Sequence, residues 1–496
     1  MAYNHGVKVS EKATSILPPV SVSAGIPFIV GTAPVNMTDP SNVNKPVLCS
    51  SYAEAVAAFG YVPPVLDATS GLKKYEYSIS EFIYSQFALF GASPVIIVNV
   101  LDPATHKQAA SASTVTLSDG AATIKETGII PGSIELSSGS DDDVTEYELG
   151  VDYIAAFDDE GYLVITSLKD VGGTDKVPSD TALTFSAQKL NPAAITATEI
   201  IGGVDVSGNK SGFELVDECF PRFRLVPGLL LAPGYSHNAG LAAVMAAKAA
   251  NINQVFSAIA LIDAPTDSVS QYSGVPEWKN TNNVVDSRQI VCWPGVALDG
   301  VYFHLSTQVV GTIDITDSEN DDVPYVSPSN HNINATASVL ADGSEVWIAP
   351  DTGEYLNGQG VVTALNFIGG WKLWGNRMAC YPANTDVKDS FIPVKRMFAW
   401  VGNTLIQTFW SQVDAPLNRR LIDTIIDSAN LWLNGLEARQ YIIGGRVEFL
   451  DTENPEQDLM DGIARFHVYL TPASPAREID FILEYDPAYL ETLFAA

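Results

Sequence analysis

Five short stretches of this chain are apolar on both sides of an extended backbone, and this feature constrains the fold more than any other. They cover residues 26–30, 94–100, 226–231, 258–262 and 289–293. A strand with one face in water alternates apolar and polar residues, whereas a strand covered on both faces is apolar almost throughout. The five stretches therefore predict buried strands of a mainly parallel sheet that helices cover on both faces.

Helix signals fill the intervals between these strands. Ser51 and Glu54 have the spacing of a capping box, as do Ser78 and Glu81, and Asn238 is a typical N-cap. Strand–helix–strand order with short crossovers gives parallel neighbouring strands. The sequence therefore predicts an α/β fold with a doubly wound core sheet.

The segment 104–200 has a different composition and divides this core. It contains 16 acidic residues against 5 basic ones, and its short alternating runs are separated by turn-rich stretches. Such runs are typical of half-buried antiparallel strands. We therefore predict an inserted, peripheral all-β domain at 104–200, between a first core segment at 26–103 and a second one at 201–365.

Residues 366–496 predict a C-terminal α+β domain. A helix should start at Asp414-Ala415-Pro416 and carry an apolar stripe, with Gly435 beyond its end. The last predicted strand runs from Glu478 to Tyr485, with three acidic residues on one face. Its other face carries four apolar side chains, those of Ile479, Phe481, Leu483 and Tyr485.

The charge balance excludes several classes of partner. The 496 residues include 27 Lys and Arg against 58 Asp and Glu, a net charge of −31. Nucleic-acid binding needs clustered basic residues, so we expect none, and docking on an anionic membrane is disfavoured for the same reason. No apolar run reaches the roughly 18 residues of a membrane span. The first residues also lack the pattern of an export signal, so we expect neither membrane insertion nor a cleaved signal peptide.

The sequence also carries little sign of a metal or cofactor site. Cys49, Cys219, Cys292 and Cys380 are far apart, which favours reduced, buried thiols. The histidines have no metal-ligand spacing, and no phosphate-binding glycine loop occurs. The acidic runs, chiefly 141–143 and 317–322, are interpreted as solvated loops rather than calcium sites. We therefore predict no metal and no cofactor.

One set of residues could be imagined as a hydrolytic triad. Ser236, His237 and Asp263 lie near the ends of two predicted parallel strands, where catalytic groups of α/β proteins collect. The surrounding residues do not form a G-x-S-x-G elbow, so turn and capping roles are favoured. We predict that the chain is not an enzyme and has no catalytic residue. An α/β hydrolase and an acidic surface or receptor-binding module remain the alternatives.

An ordered set of short motifs resembles the contractile tail sheath proteins of myophages and of phage-tail-like bacteriocins (R-type tailocins). The resemblance covers the N-terminal arm, the core and the C-terminal third, and only 104–200 fits loosely. The motifs, in chain order, are Gly31-Thr32-Ala33-Pro34, Ile201-Gly202-Gly203-Val204-Asp205, Ala232-Pro233-Gly234-Tyr235-Ser236, Tyr355-Leu356-Asn357-Gly358-Gln359-Gly360-Val361, Trp374-Gly375-Asn376-Arg377, Val394-Lys395-Arg396-Met397 and Gly444-Gly445-Arg446-Val447.

This resemblance implies a structural function. It implies a subtilisin-like core without protease activity, and subunits in stacked hexameric rings around an inner tail tube protein. Contraction of such a sheath drives the tube through a bacterial envelope, with baseplate and tail terminator proteins as further partners. It also implies assembly in the bacterial host cytoplasm and a final location in a virion tail or a released phage-tail-like particle.

The resemblance further implies that the two chain ends link neighbouring subunits by strand addition. The N-terminal arm, residues 1–25, alternates before Pro18-Pro19, as a strand that pairs elsewhere would. A frayed terminus is the alternative. The predicted linking residues are Gly6, Val7, Lys8, Val9, Ile479, Phe481, Leu483 and Tyr485.

Overall fold

The computed structural model describes residues 17–20, 22–139 and 144–493. Its first part alternates short strands with helices. In chain order the elements are β1 (Pro27–Gly31), β2 (Val47–Cys49), α1 (Tyr52–Phe59), β3 (Val65–Leu66), β4 (Lys73–Lys74), α2 (Ser78–Ile83, continued by a π-helical turn at Tyr84–Phe90) and β5 (Val95–Asn99).

Local signals set both ends of α1. The Ser51 hydroxyl accepts the backbone N–H of Glu54, as the capping box predicts. The helix ends at Gly60, whose φ of +76° favours glycine, and a Cβ there would lie 2.5 Å from the Pro34 carbonyl oxygen. The second predicted box is wrong, because the N-cap of α2 is Tyr77 and no side chain caps it.

An all-β segment follows. Its strands are β6 (Lys107–Ala109), β7 (Thr114–Thr116), β8 (Ala121–Ile124), β9 (Glu135–Ser138), β10 (Thr145–Tyr147), β11 (Tyr153–Phe157), β12 (Leu163–Ser167), β13 (Ala182–Ser186) and β14 (Gln188–Leu190). The order β10-β9-β13-β7 forms one sheet and β11-β12-β8 another, around a separate apolar cluster that includes Leu136 and Phe185. β6 pairs antiparallel with β14 and forms the neck of this segment, where the Asn191 N–H donates to the His106 carbonyl at 2.9 Å.

The chain then returns to alternating helices and strands. These are α3 (Ala197–Ile201), β15 (Gly203–Val204), β16 (Lys210–Ser211), α4 (Cys219–Phe223), β17 (Leu229–Leu231), α5 (Ala239–Ala250), β18 (Ile259–Asp263), α6 (Val275–Thr281), β19 (Gln289–Cys292), β20 (Gly295–Leu298), β21 (Val301–Phe303), α7 (Leu305–Ser318), β22 (Ala337–Val339), α8 (Pro350–Asn357), β23 (Val361–Asn366) and β24 (Trp371–Trp374).

A sheet with the order β2-β5-β1-β17-β18-β19-β23-β24 forms the centre of the molecule. The strands from β5 to β23 pair in parallel, and β2 and β24 pair antiparallel at the two edges. The five apolar stretches of the sequence supply β1, β5, β17, β18 and β19, whose residues are buried. This confirms the predicted α/β class and its parallel strands. A second sheet has the order β22-β20-β21-β4-β3.

The C-terminal part contains α9 (Val387–Ser390), α10 (Ile392–Phe409), α11 (Arg419–Ala438), β25 (Ile442–Glu448), α12 (Glu456–Met460) and β26 (His467–Pro472). The predicted helix exists but begins later than expected. Its N-cap is Asn418, whose side chain accepts the Leu421 N–H, and Gly435 lies inside it. Within the described ranges, no helix is both long and apolar enough to cross a bilayer.

Candidate functional site: the central cleft and the C-terminal sheet

Ser236 and Asp263 meet at the carboxyl end of the central sheet, but not as a catalytic pair. The Ser236 hydroxyl is buried and accepts the backbone N–H of Asp263 at 3.0 Å. Both oxygens of the Asp263 carboxylate are engaged by Ser306, whose N–H and Oγ lie 2.9 and 2.5 Å away. Asn238 caps α5 through its side chain, as predicted. Ser236 and Asp263 therefore fix turns and a helix start.

A cleft at this end of the sheet also contains an ion pair between Glu81 and His304, which the sequence analysis did not predict. The Glu81 carboxylate lies 2.9 Å from His304 Nδ1 and accepts the His304 backbone N–H at 2.7 Å. Burial alone would lower the pKa of His304, but attraction to Glu81 outweighs it and raises that pKa to about 9. The pair ties α2 to the start of α7. Because the two residues are 223 positions apart, no local pattern announces it.

The cleft has a volume of about 260 Å³ and is lined by groups of both charges, including Lys74, Asp263, Asp267 and His304. His237 also borders it, and burial lowers the pKa of that imidazole. Across the described ranges, no group of three His, Cys, Asp or Glu side chains is arranged to hold a metal ion.

Two buried side chains join the C-terminal part to the central body. Arg396 on α10 donates through two nitrogens to the two carboxylate oxygens of Asp317 on α7, and both side chains are almost fully buried. The prediction of a solvated loop at 317–322 is therefore wrong for Asp317. Asp314 lies beside this pair, and burial followed by the Asp317 charge raises its pKa well above the usual range.

The C-terminal sheet has two strands in the described chain. β25 and β26 pair antiparallel, and α11 packs against the sheet through an apolar cluster that includes Leu433, Leu436, Ile442 and Val447. A sheet of two strands is marginal alone. At its β25 edge, the side-chain amide of Asn430 on α11 already bonds the Val447 N–H and the Val447 carbonyl oxygen, at 2.7 and 3.1 Å.

The chain segment before β1 runs along this domain. The Trp400 indole N–H donates to the Val22 carbonyl oxygen at 2.6 Å, and the Val20 N–H donates to Thr408 Oγ1 at 3.1 Å. Leu17, the first residue described, donates its N–H to Ser428 Oγ on α11 at 2.9 Å. The predicted linking residues Gly6, Val7, Lys8 and Val9 precede it and lie outside the described residues.

The predicted terminal strand pairs with no strand of the described ranges. Residues 473–486 belong to no strand or helix, so the expected half-buried strand at 478–485 is wrong for the single subunit. Its apolar row is exposed instead. The exposed fractions are 71% for Ile479, 83% for Phe481, 95% for Leu483 and 76% for Tyr485. Rows of this kind mark surfaces that bind another chain.

Sequence comparisons relate the chain to tail sheath proteins over nearly its full length. No protein-family model matches it. It is 28% identical to the tail sheath protein of Burkholderia phage BcepMu, over 99% of this chain and 98% of that protein. It is 24% identical to a putative prophage major tail sheath protein of Pseudomonas aeruginosa UCBPP-PA14, over 59% of this chain and 74% of that protein.

Solved structures share the fold at lower identity. A sheath complex of the extracellular contractile injection system PVC, in its contracted state, matches with a TM-score of 0.57 and 13% identity over 98% of this chain and 99% of that one. The contracted helical sheath of the anti-feeding prophage matches with a TM-score of 0.54 and 15% identity, over 98% of this chain and 100% of that one. In sequence the chain is therefore similar to tail sheath proteins of phages, and in fold it is similar to the sheaths of contractile injection systems.

Proposed function

We propose that subunits of this chain polymerise as stacked hexameric rings around an inner tube, and that contraction of this sheath drives the tube through a bacterial envelope. The observation that carries the proposal is that one chain contains both a sheet of only two strands and an exposed C-terminal segment with alternating apolar side chains. The edge strand of the sheet has backbone groups free to bond another strand, and the exposed segment needs a strand to pair with and a surface that buries its apolar side chains.

Strand exchange is the proposed link between subunits. The arm around Gly6, Val7, Lys8 and Val9 leaves its own subunit, and so does the segment from Ile479 to Tyr485. Both add to C-terminal sheets of neighbouring copies. Burying one large apolar side chain contributes about 1.5–3 kcal/mol, so the exposed row of four supplies several kcal/mol per link. Links of this kind hold while the globular bodies rotate.

The rest of the molecule serves this mechanical role. In the proposal, the central sheet is a subtilisin-like core that lacks a protease triad, and the acidic segment 104–200 is a peripheral domain on the outside of the sheath. The division at 26–103, 201–365 and 366–496 belongs to the same proposal. The inner tube, baseplate and tail terminator proteins are the proposed partners, with assembly in the bacterial host cytoplasm before the particle is complete.

Electron microscopy of the purified full chain tests the proposal. We expect ordered tubes or rings from the full chain, and folded monomers without tubes from a variant that lacks residues 478–496 or 1–16. The matched control is a variant with serine at Val171, which is fully exposed but lies in the acidic segment. Tubes from both deletion variants would contradict strand exchange, and a monodisperse full-length monomer that hydrolyses peptides or esters would contradict the structural role.

A further inference from the structure

A pocket between the central body and the C-terminal part is bordered by three basic side chains and, within the described ranges, by no acidic one. Its volume is about 190 Å³, and the basic side chains are those of Arg288, Lys388 and Lys395. The whole chain has 27 basic residues against 58 acidic ones. The lining of this basic pocket therefore has the opposite charge to the rest of the molecule.

A single carboxylate lies behind two of these side chains. The Lys388 and Lys395 ammonium groups both donate to Asp389 Oδ1, at 2.7 and 2.6 Å. Burial alone would raise the pKa of Asp389, but the hydrogen bonds from the two lysines outweigh it and lower that pKa to about 2. Asp389 is therefore ionised at neutral pH and offsets one of the three positive charges, which leaves an excess of two.

Arg288 supplies a charge that has no partner in the described part of the chain. Its guanidinium forms no ion pair and no hydrogen bond there. Its backbone is held in place, because its carbonyl oxygen accepts the Ala260 N–H at 2.8 Å. Asp286 and Asp386 accept the backbone N–H groups of Arg288 and Lys388, and neither carboxylate borders the pocket.

The two walls of the basic pocket are joined to each other. Asn403 on α10 donates through Nδ2 to the Ser257 carbonyl oxygen at 2.9 Å, and its Oδ1 accepts the Ser257 N–H at 3.0 Å. Lys395, on the same helix, is only 8% exposed. A pocket whose walls and charged groups are held before a ligand arrives loses less conformational freedom when the ligand binds.

We propose that the basic pocket binds one phosphate group, as inorganic phosphate or as the end of a small phosphate ester. A phosphate monoester carries about 1.5–2 negative charges at pH 7, which matches the excess of two positive charges. Its oxygens accept hydrogen bonds from a guanidinium and from ammonium groups at the same time. The pocket is smaller than the roughly 300–1,000 Å³ of sites for drug-sized ligands, so its size also fits a ligand of a few atoms.

The position of the pocket gives the bound anion a structural effect. Arg288 belongs to the central body, whereas Lys388 lies on α9 and Lys395 on α10. A phosphate that contacts all three side chains bridges the central body and the C-terminal part. Because such a ligand binds only the folded chain, it stabilises the folded chain.

Isothermal titration calorimetry of the full chain tests the proposal, with inorganic phosphate and glycerol 3-phosphate as probes at constant ionic strength. We expect one site per subunit for at least one probe, and a Kd at least tenfold higher in Arg288→Gln. Lys388→Gln should also raise the Kd, because it removes a half-exposed ammonium and leaves the Lys395–Asp389 pair in place. The matched control is Arg222→Gln, which removes the same charge from an ion pair with Glu218 outside the pocket and should leave the Kd unchanged.

Thermal unfolding gives a second readout. Phosphate should raise the melting temperature of the parent chain and of Arg222→Gln, but not that of Arg288→Gln. No binding of either probe, an equal Kd in the parent chain and in both pocket variants, or an equal rise in melting temperature with sodium chloride at the same ionic strength would overturn the inference. None of these measurements uses tube formation, so their outcome is separate from that of the proposed function.

Discussion

Replacing Arg396 with methionine tests whether a buried charge pair locks the C-terminal part to the central body. The Arg396 and Asp317 side chains are 2% and 3% exposed. Methionine keeps most of the apolar stem but leaves the Asp317 carboxylate buried without a counter-charge. Removing one member of such a pair costs about 3–5 kcal/mol, so we expect the free energy of unfolding to fall by that amount.

The loss of unfolding free energy in Arg396→Met should become smaller as the pH falls. Burial first and the Asp317 charge second raise the pKa of Asp314, whereas Arg396 lowers it, so Arg396→Met should raise it further. A carboxyl with a raised folded-state pKa binds more protons in the folded state than in the unfolded one. Stability then increases as the pH falls towards about 4, the ordinary carboxyl pKa, and the deficit of the variant should narrow.

Urea unfolding followed by tryptophan fluorescence measures this loss. Trp400, four residues after Arg396 on the same helix, has its ring centroid 5.5 Å from that of Trp432 and reports on this region. The matched control is the double variant Arg396→Met with Asp317→Leu, which should recover most of the stability because no charge stays buried. A single variant within about 0.5 kcal/mol of the parent chain, or a double variant no more stable than the single one, would refute the reasoning.

Three further outcomes are expected. Glu81→Gln should abolish a pH dependence of the parent melting temperature. Because the pKa of His304 is raised from 6.5 to about 9, the stability that the protonated His304 contributes is complete below pH 6.5 and is lost as the pH rises to 9. This contribution is about 3 kcal/mol. Ser236→Ala should cost about 1–3 kcal/mol in chemical unfolding, since the Asp263 N–H loses its buried acceptor, but tubes should still form; a peptidase or esterase activity that vanishes with this change would contradict the structural role. Deleting 107–190 should leave tubes visible by electron microscopy, and a folded core that no longer assembles would contradict a peripheral position.

Local patterns predicted those parts of the fold that depend on neighbours in sequence. The β5 strand and the cap of α1 follow directly from such patterns, because burial on both faces and a capping hydroxyl are properties of a few consecutive residues. The helix α11 starts later than Asp414-Ala415-Pro416 predicts, because the side chain of Asn418 accepts the Leu421 N–H and caps the helix there.

The candidate site was less predictable because its contacts are distant. Glu81 has capping-box spacing, yet its buried carboxylate binds His304, the N-cap of α7, which is distant in sequence. The alternation at 478–485 correctly gives an apolar row, but a strand also requires a partner, and the described part of the chain supplies none. Asn430 carries no local signal, because only the packing of α11 against β25 gives its amide a role.

The neck formed by β6 and β14 has a consequence for how such chains diversify. The two ends of the acidic segment are joined by a backbone hydrogen bond of 2.9 Å between Asn191 and His106, so removing or replacing the segment leaves a gap that a very short turn can close. Loop-closure entropy grows only slowly with the length of chain between two fixed points. Recombination at these two positions can therefore exchange this segment for one of a different size, while the central sheet is inherited unchanged.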